Sequence, residues 1–241
     1  VKFIGDTKEF SNGIDFRKIL NYLINTKSSE STELCPVFNF ESLNPKLQFD
    51  QKEKFCNGKL FQIDRHDLSN YGFPAYGVHC NVWSKFKNST IIHFAKRSKK
   101  LKRFPGFFDN PIAGGQPSGI SIIENLFKEA KEEAGLSTSD LKHAIQSKTI
   151  HYIHDYKRKL NSSIIFIYHL EKKDCFEFHN QDGEVEEFIS LEVNQIYKIL
   201  EKKLLKPNSI IPIIDFFISK ESDFISKKAM LEIKKIMKNY D

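Results

Sequence analysis

Apolar residues recur along the chain with two periods, which predict its strands and helices. Runs rich in β-branched and aromatic residues predict strands over 76–84, 90–97, 148–156, 161–170 and 184–191. Apolar spacings of three and four residues predict helices over 15–26, 121–134, 194–205, 209–219 and 222–238. Because strands and helices mix irregularly, the pattern predicts a mixed sheet between helical layers.

The segment from Gly114 to Leu136 reads as a glycine loop, a helix and a glycine stop. Ser121 and Glu124 have the Ser-x-x-Glu spacing of a capping box, so we expect the helix to begin there. Gly135 can take the left-handed conformation that ends a helix. An apolar stripe at helical spacing predicts one buried face, and it consists of Ile123, Leu126, Phe127, Ala130 and Ala134.

Three carboxylates lie on another face of this helix, because Glu129 stands three and four positions before Glu132 and Glu133. One interpretation is a solvated acidic face balanced by Lys128 and Lys131. The other is a divalent cation site, since hard oxygen ligands suit Mg²⁺ or Mn²⁺ and substrate phosphates complete such sites. The adjacent glycine loop favours the second, because bare backbone can approach a phosphate or lend carbonyls to a metal.

This segment resembles the Nudix box, whose pattern is Gly-x5-Glu-x7-Arg-Glu-U-x-Glu-Glu-x-Gly-U with U an apolar residue. The positions that match are Glu129, Ala130, Glu132, Glu133, Gly135 and Leu136. Lys128 stands where the arginine belongs, Gly115 is followed by four residues rather than five, and Ile120 replaces the first glutamate. The glutamate and arginine that brace the helix in ordinary Nudix proteins are therefore absent in their usual form.

Three other segments resemble the Nudix domain of thiamine pyrophosphokinase-related proteins. They are Tyr76-Gly77-Val78-His79-Cys80-Asn81, Pro105-Gly106-Phe107-Phe108-Asp109-Asn110 and Lys206-Pro207-Asn208. The resemblance covers about residues 73 to 220 and implies a Nudix-type α/β/α sandwich over 73–241. It also implies an accessory domain over 1–72, which we expect to be a small α+β region.

The resemblance implies a hydrolase that uses Mg²⁺ or Mn²⁺ to cleave a diphosphate linkage in a small molecule. Thiamine diphosphate, or an oxidised derivative of it, is the substrate that the subfamily implies. Glu129 is the expected base, and the expected metal ligands are Glu129, Glu132, Glu133 and Gly114. The candidates for substrate binding are Tyr76, His79, Arg97, Phe107, Asp109, Gly115 and Glu184.

Other functions remain open or are disfavoured. Another nucleoside-diphosphate-type substrate would use the same site, and a degenerate box would leave a binding or regulatory module. Isopentenyl diphosphate isomerase shares the superfamily but needs a reactive cysteine near the position of Ile112 and Ala113, where this chain has none. A P-loop kinase is also disfavoured, because no Gly-x-x-x-x-Gly-Lys-[Ser/Thr] loop occurs.

The net charge is +6, and the densest cluster of basic residues is the run 96–103. Two interpretations of this run remain open: a solvated turn, or a basic rim that steers phosphate groups toward a site. Nucleic acid is not an expected partner, because no recognition motif accompanies this run. The sequence contains no run of about 18 apolar residues, so we expect no membrane span. Its first residues lack the pattern of a signal peptide. The 4 cysteines show no Cys-x-x-Cys spacing, so we expect free thiols and a cytoplasmic monomer or homodimer.

Overall fold

The computed structural model describes residues 33–38, 59–87, 89–156, 159–173 and 176–220. The helices predicted over 15–26 and 222–238 lie outside these residues, as do Cys56 and Cys175. The other two cysteines, Cys35 and Cys80, are buried free thiols, as the sequence predicts. Burial raises the pKa of the Cys35 thiol to about 12, with a smaller contribution from Glu33. None of the described helices is long and apolar enough to cross a membrane.

The strands are β1 (Leu34–Phe38), β2 (Lys59–Asp64), β3 (Ala75–Phe86), β4 (Ser89–Arg97), β5 (Phe108–Asp109), β6 (Ile112–Gly115), β7 (Ile145–Tyr156), β8 (Lys159–Glu171) and β9 (Val185–Glu192). Strands β3, β4, β7, β8 and β9 fall close to the five predicted spans, whereas β1, β2, β5 and β6 are not among them. The helices are α1 (Ile122–Ala134), α2 (Val193–Glu201) and α3 (Pro207–Ser219). Mixed α/β architecture is therefore confirmed.

A seven-stranded sheet organises most of these elements, in the order β5-β4-β3-β8-β7, with β6 paired to β3 and β9 paired to β4. Strand β4 pairs antiparallel with β3, β5 and β9. The paired strands β1 and β2 form a separate two-stranded antiparallel sheet. Strand β6 leads through the glycine loop into α1.

Two compact units divide the described chain. The first comprises the described residues up to Tyr76 together with Gly115–Ile122 and the described part of 151–164. Its core is built on the small sheet and consists of Cys35, Val37, Phe61, Ile63 and Leu68. The second comprises Gly77–Gly114, Ile123–Ile150 and the described residues from Ile165 onward. A core cluster of this second unit joins β3 and β4 to α2 and α3, with Trp83, Phe94, Ile196, Ile213 and Phe216 among its members. The domain boundary expected at residue 72 stays a prediction.

Helix α2 ends earlier than its apolar pattern predicts, at Glu201 rather than 205. Lys203 adopts a left-handed conformation with φ of 53°, and Leu205 forms a parallel bridge to Phe108. The apolar periodicity continues past the end of the helix because Leu205 is also buried, at 3% exposure. Leu205 is buried where it pairs with the edge of the sheet and not as part of a helix. Periodicity alone does not distinguish these two modes of burial.

Candidate active site

Helix α1 is held by a largely buried apolar face, in which Ile123 and Phe127 are partly exposed, and by a defined C-terminus. Leu126, Ala130 and Ala134 are each 0% exposed. The Gly135 amide donates to the Lys131 carbonyl at 3.2 Å, which is the bond of an αL C-cap, and the Leu136 amide donates to the Ala130 carbonyl at 3.0 Å. Gly135 has φ of 68°, so the predicted glycine stop is confirmed. These contacts fix which face of α1 carries the glutamates.

Glu129 is the most buried of the three glutamates, at 8% exposure. Its carboxylate lies directly against Gly114, where an added Cβ would overlap the carboxylate carbon and both oxygens. Five residues, 115–119, separate Gly114 from Ile120, so Gly114 rather than Gly115 has the spacing of the glycine in the Nudix box. Only glycine leaves room for the Glu129 carboxylate at this place.

Glu133 is half-buried beside the same loop. Its Oε2 accepts a hydrogen bond from the Ala113 amide at 2.8 Å. Burial raises the pKa of Glu133 well above its usual value; the Ala113 hydrogen bond opposes this shift, and the charges of Asp109 and Glu129 add to it. Glu133, Glu129 and Asp109 therefore lie within electrostatic reach of one another.

Glu132 differs from the other two, because its side chain is 50% exposed. Lys128 Nζ lies 2.6 Å from Glu132 Oε2 and 3.1 Å from Glu129 Oε1. Although burial alone would lower the pKa of Lys128, its contacts with these two carboxylates raise it. Within the described ranges, no three or more His, Cys, Asp or Glu side chains form a ready cation site. The three carboxylates are thus divided between an inward pair and an outward Glu132, and a lysine ammonium bridges Glu129 and Glu132.

Both carboxylate oxygens of Asp109 contact other groups of the protein. Lys206 Nζ lies 2.6 Å and Arg97 Nη1 3.1 Å from Asp109 Oδ2. Asp109 Oδ1 accepts from the Asn110 amide at 2.9 Å and from the Ser209 hydroxyl. Burial would raise the pKa of Asp109, but the Lys206 charge and the Lys206 and Ser209 hydrogen bonds hold it below its usual value. Through these contacts Asp109 joins β5 to the start of α3, and its role in substrate binding stays a prediction.

A chain of buried hydrogen bonds continues from this cluster. Asn81 Nδ2 donates to the Pro212 carbonyl at 2.8 Å and also faces His169 Nδ1 at 3.1 Å, so this imidazole nitrogen is an acceptor. His169 Nε2 therefore carries the proton that it shares with Asp215 Oδ2 at 3.0 Å. Asn110 Nδ2 donates to Asn81 Oδ1 at 2.8 Å. The backbone carbonyl of Pro212 thereby fixes the orientation of every amide in the chain.

His79 lies at the other end of this network. Its Nδ1 is 2.9 Å from Asn110 Oδ1 and so carries the proton, while Nε2 lies 3.4 Å from Asn208 Nδ2. Burial lowers the pKa of His79 to about 4, and the Lys206 charge adds to this effect. The three sequence segments that resemble the thiamine pyrophosphokinase-related proteins thus supply Asn81, Asn110 and Asn208 to one network.

The remaining candidates are placed in different surroundings. Phe107 packs edge-on against Phe104, with ring centroids 5.5 Å apart. It also lines an apolar groove of about 390 Å³ with Leu200, Lys203, Leu205, Pro207 and Ile210. Glu184 is exposed, and its backbone carbonyl accepts from the Ser98 amide at 2.8 Å.

The acidic residues after Glu184 are engaged by the basic run. Glu186 and Glu187 both contact Lys96 Nζ, at 3.5 and 2.8 Å, although strict alternation predicts opposite faces for them. A register shift between Lys96 and Arg97 in the pairing of β4 with β9 accompanies the departure from alternation.

Tyr76 and Gly115 belong to the first unit. Tyr76 packs edge-on against Phe38, with ring centroids 5.3 Å apart. A Cβ on Gly115 would come within 2.7 Å of the Arg65 guanidinium carbon. The sequence gives no sign of this proximity, because Arg65 lies far from the glycine loop along the chain.

Several residues of the network were not predicted from the sequence. Lys206 and Ser209 could have been suspected, since Lys206 belongs to the Lys-Pro-Asn segment and Ser209 follows it. His169 and Asp215 carry no such signal, because each stands alone among apolar neighbours of β8 or α3. A buried polar residue of this kind is identified only when the fold supplies its partner.

Comparisons with known proteins agree with the mixed α/β fold. No protein-family model matches the chain. The chain is 34% identical over 166 residues to Nudix hydrolase 20, chloroplastic, of Arabidopsis thaliana, covering 68% of this chain and 44% of that protein. It is 33% identical over 166 residues to Nudix hydrolase 24, chloroplastic, of the same plant, covering 68% and 46%.

A solved structure shares the fold at low sequence identity. The crystal structure of DR0079 from Deinococcus radiodurans has a TM-score of 0.52 and 14% identity, over 76% of this chain and 97% of that one. The chain spans about half the length of the curated relatives it matches.

Proposed function

We propose that this chain hydrolyses a diphosphate linkage in a small molecule, in accord with the Nudix hydrolase family that its curated relatives and its fold support. The observation that carries the proposal is the Glu129 carboxylate seated against Gly114, with Glu133 fixed by the Ala113 amide. Both carboxylates thereby have defined positions beside a loop of bare backbone. A solvated acidic face would need neither a glycine beside Glu129 nor a backbone amide bound to Glu133, so these two contacts favour a functional site.

The donor set suits a hard divalent cation. Glu129, Glu133, Glu132 and the backbone of Gly114 would hold Mg²⁺ or Mn²⁺, with water and substrate phosphate as further ligands. The raised pKa of Glu133 reflects burial beside other carboxylates, a surrounding that a cation would neutralise. Such a cation supplies charge neutralisation for the diphosphate oxygens and a lowered pKa for a bound water.

The residues of the chain then have distinct tasks in an in-line displacement at phosphorus. Glu129, held between Gly114 and Lys128, takes the proton of the attacking water. The water oxygen forms a bond to phosphorus as the bond from phosphorus to the bridging oxygen breaks. A terminal diphosphate thereby yields a monophosphate and inorganic phosphate.

The finer proposal for the substrate is thiamine diphosphate or an oxidised derivative of it. Its support is the resemblance of the three motif segments, which meet around His79 and Asp109. Phe107 and the apolar groove beside it offer a wall for an organic ring. Another nucleoside-diphosphate-type compound is the alternative that a substrate panel would reveal, and the cytoplasmic location and the monomer or homodimer stay predictions.

The test is phosphate release with Mg²⁺ from thiamine diphosphate, its oxidised analogues, ADP-ribose, NADH and nucleoside di- and triphosphates, against an EDTA control. Glu129→Gln, Glu132→Gln and Glu133→Gln should each lower metal-dependent turnover by roughly 100-fold or more. Glu201→Gln on α2 is the matched control and should leave turnover unchanged. Release from nucleotides only would reject the thiamine proposal, and no release from any compound of the panel would favour a binding or regulatory module or a substrate outside the panel.

A further inference from the structure

Two cationic side chains share a single carboxylate at the junction of β4, β5 and α3. Arg97 and Lys206 both contact Asp109 Oδ2, and the side chains of Arg97 and Lys206 are each 15% exposed. One positive charge is therefore left without a carboxylate in this cluster. An uncompensated cation that is largely removed from water is costly unless an anion completes it.

Among the described residues, no second carboxylate lies in contact with Arg97 or Lys206. Asp109 accepts four described hydrogen bonds or ion pairs, two at each oxygen, so both its oxygens are fully engaged. The pKa of His79 is lowered to about 4, so its imidazole is neutral above that pH and adds no charge to the cluster. The Ser209 hydroxyl is also committed to Asp109.

Unused hydrogen-bond donors remain on both cations. Arg97 spends Nη1 on Asp109 and Nη2 on the Arg103 carbonyl, while its Nε is buried without a partner among the described residues. The Lys206 ammonium has three N–H groups, and its described side-chain hydrogen bond goes to Asp109. A phosphate group would match the cluster in charge and in acceptor oxygens.

This cation cluster is joined to the carboxylates of α1 by the short segment 109–113. Asp109 at its start holds Arg97 and Lys206, and the Ala113 amide at its end donates to Glu133 Oε2 at 2.8 Å. A diphosphate between the glutamates and Lys206 would meet the metal-binding side at one end and a fixed cation at the other. Preorganised charges of this kind favour an anionic substrate and its transition state.

We propose that Lys206, fixed together with Arg97 on Asp109, binds a phosphate oxygen of the substrate diphosphate. The assignment rests on the proposed function for its catalytic meaning, but phosphate binding itself does not require turnover. Lys206 is favoured over Arg97 because Arg97 already commits both terminal nitrogens within the protein.

The test is calorimetric titration of the whole chain with inorganic pyrophosphate in EDTA, so that no metal takes part. Lys206→Met should weaken the dissociation constant at least 10-fold, whereas Lys206→Arg should stay within about 3-fold of the original chain. Lys198→Met removes an exposed lysine of α2 and should change nothing. Lys206→Gln, which can still donate to Asp109, repeats the test if the methionine variant unfolds.

Each outcome decides the matter. No pyrophosphate binding by the original chain, equal binding by Lys206→Met, or equal losses in Lys206→Met and Lys198→Met would overturn the site. Lys206-dependent binding with no turnover of any diphosphate would retain the site and reject the hydrolase. In an active enzyme, Lys206→Arg should rescue the KM that Lys206→Met raises, which a merely structural lysine would not predict.

Discussion

Gly114 is the residue at which a single methyl group should disturb the candidate site most. A Cβ there would overlap the Glu129 carboxylate, so we expect Gly114→Ala to lower the free energy of unfolding by about 1–3 kcal/mol, as overpacking does. The same change should displace the proposed base and lower turnover. Urea unfolding followed by circular dichroism measures the first effect, and phosphate release measures the second.

A double-mutant cycle separates this collision from a general backbone cost. In a Glu129→Ala background the obstructing carboxylate is gone, so Gly114→Ala should cost little there. An equal loss of stability in both backgrounds would show that Glu129 does not occupy the space beside Gly114. Because the readout is stability, the result does not depend on the identity of the substrate.

Asn81 is the link between β3 and α3 whose loss should be most costly. Its Nδ2 donates to the Pro212 carbonyl, and its Oδ1 accepts from Asn110. Asn81→Asp is nearly isosteric but places a carboxylate oxygen against that carbonyl, in a residue that is 0% exposed. We expect a loss of about 3–5 kcal/mol in the free energy of unfolding, measured by urea denaturation.

The matched control is Asn194→Asp, an exposed change in the first turn of α2. A carboxylate there favours the helix N-terminus, so stability should stay level or rise slightly. Equal effects at the two positions would contradict the Asn81 network.

His93 joins three strands, and its burial should make stability depend on pH. Its ring nitrogens lie 3.1 Å from Ser84 Oγ on β3 and 2.9 Å from Ser190 Oγ on β9. Burial, with a smaller effect of Lys172, lowers the pKa of His93 to about 4. Between about pH 6.5 and 4 the unfolded chain binds a proton that the folded chain does not, so stability is full above this window and falls through it.

The expected loss from His93 is up to about 3 kcal/mol across that window. Thermal unfolding at closely spaced pH values should therefore show a shallower decline in His93→Gln than in the original chain. Buried His79 gives a decline of the same sign, which the variant retains. Parallel curves for the two proteins would argue against a neutral, buried His93.

The apolar pattern predicts elements better than it predicts their ends or their polar partners. Helix α1 begins and ends within one residue of its predicted span, since its stripe, its start and Gly135 agree. Helix α2 ends early because Leu205 is buried by the sheet rather than by the helix. Partners such as His169 and Asp215 depend on strands and helices meeting, which no local pattern records.

At the scale of the whole molecule, the motifs predict the chemistry of the site more closely than the role of each residue. The box directs attention to Glu129, Glu133 and Gly114, and one helix and its adjoining loop bring these residues together. Asp109 is a predicted substrate-binding residue, and the sequence does not reveal that it also pairs with Arg97 and Lys206. The sequence shows the charge of a motif residue, but it does not show which oppositely charged residues will pair with it in the fold.

The final prediction concerns the whole chain and a divalent cation. Burial raises the pKa of Glu133 well above its usual value, and the charges of Asp109 and Glu129 add to this shift, so a cation beside these carboxylates would be favourable. Mg²⁺ or Mn²⁺ should therefore bind the folded chain preferentially and raise its melting temperature. At a free cation concentration 100-fold above the dissociation constant, the expected stabilisation is about 2.7 kcal/mol.

Thermal unfolding with Mg²⁺ against EDTA, at matched ionic strength, measures this linkage. Glu133→Gln should abolish most of the shift, because it removes a proposed ligand while keeping an acceptor for the Ala113 amide. Glu201→Gln should leave the shift intact. If Mg²⁺ raised the melting temperature of Glu133→Gln by the same amount, the cation would bind elsewhere. The assignment of hydrolysis to the face of α1 that carries Glu129 and Glu133 would then lose its physical basis.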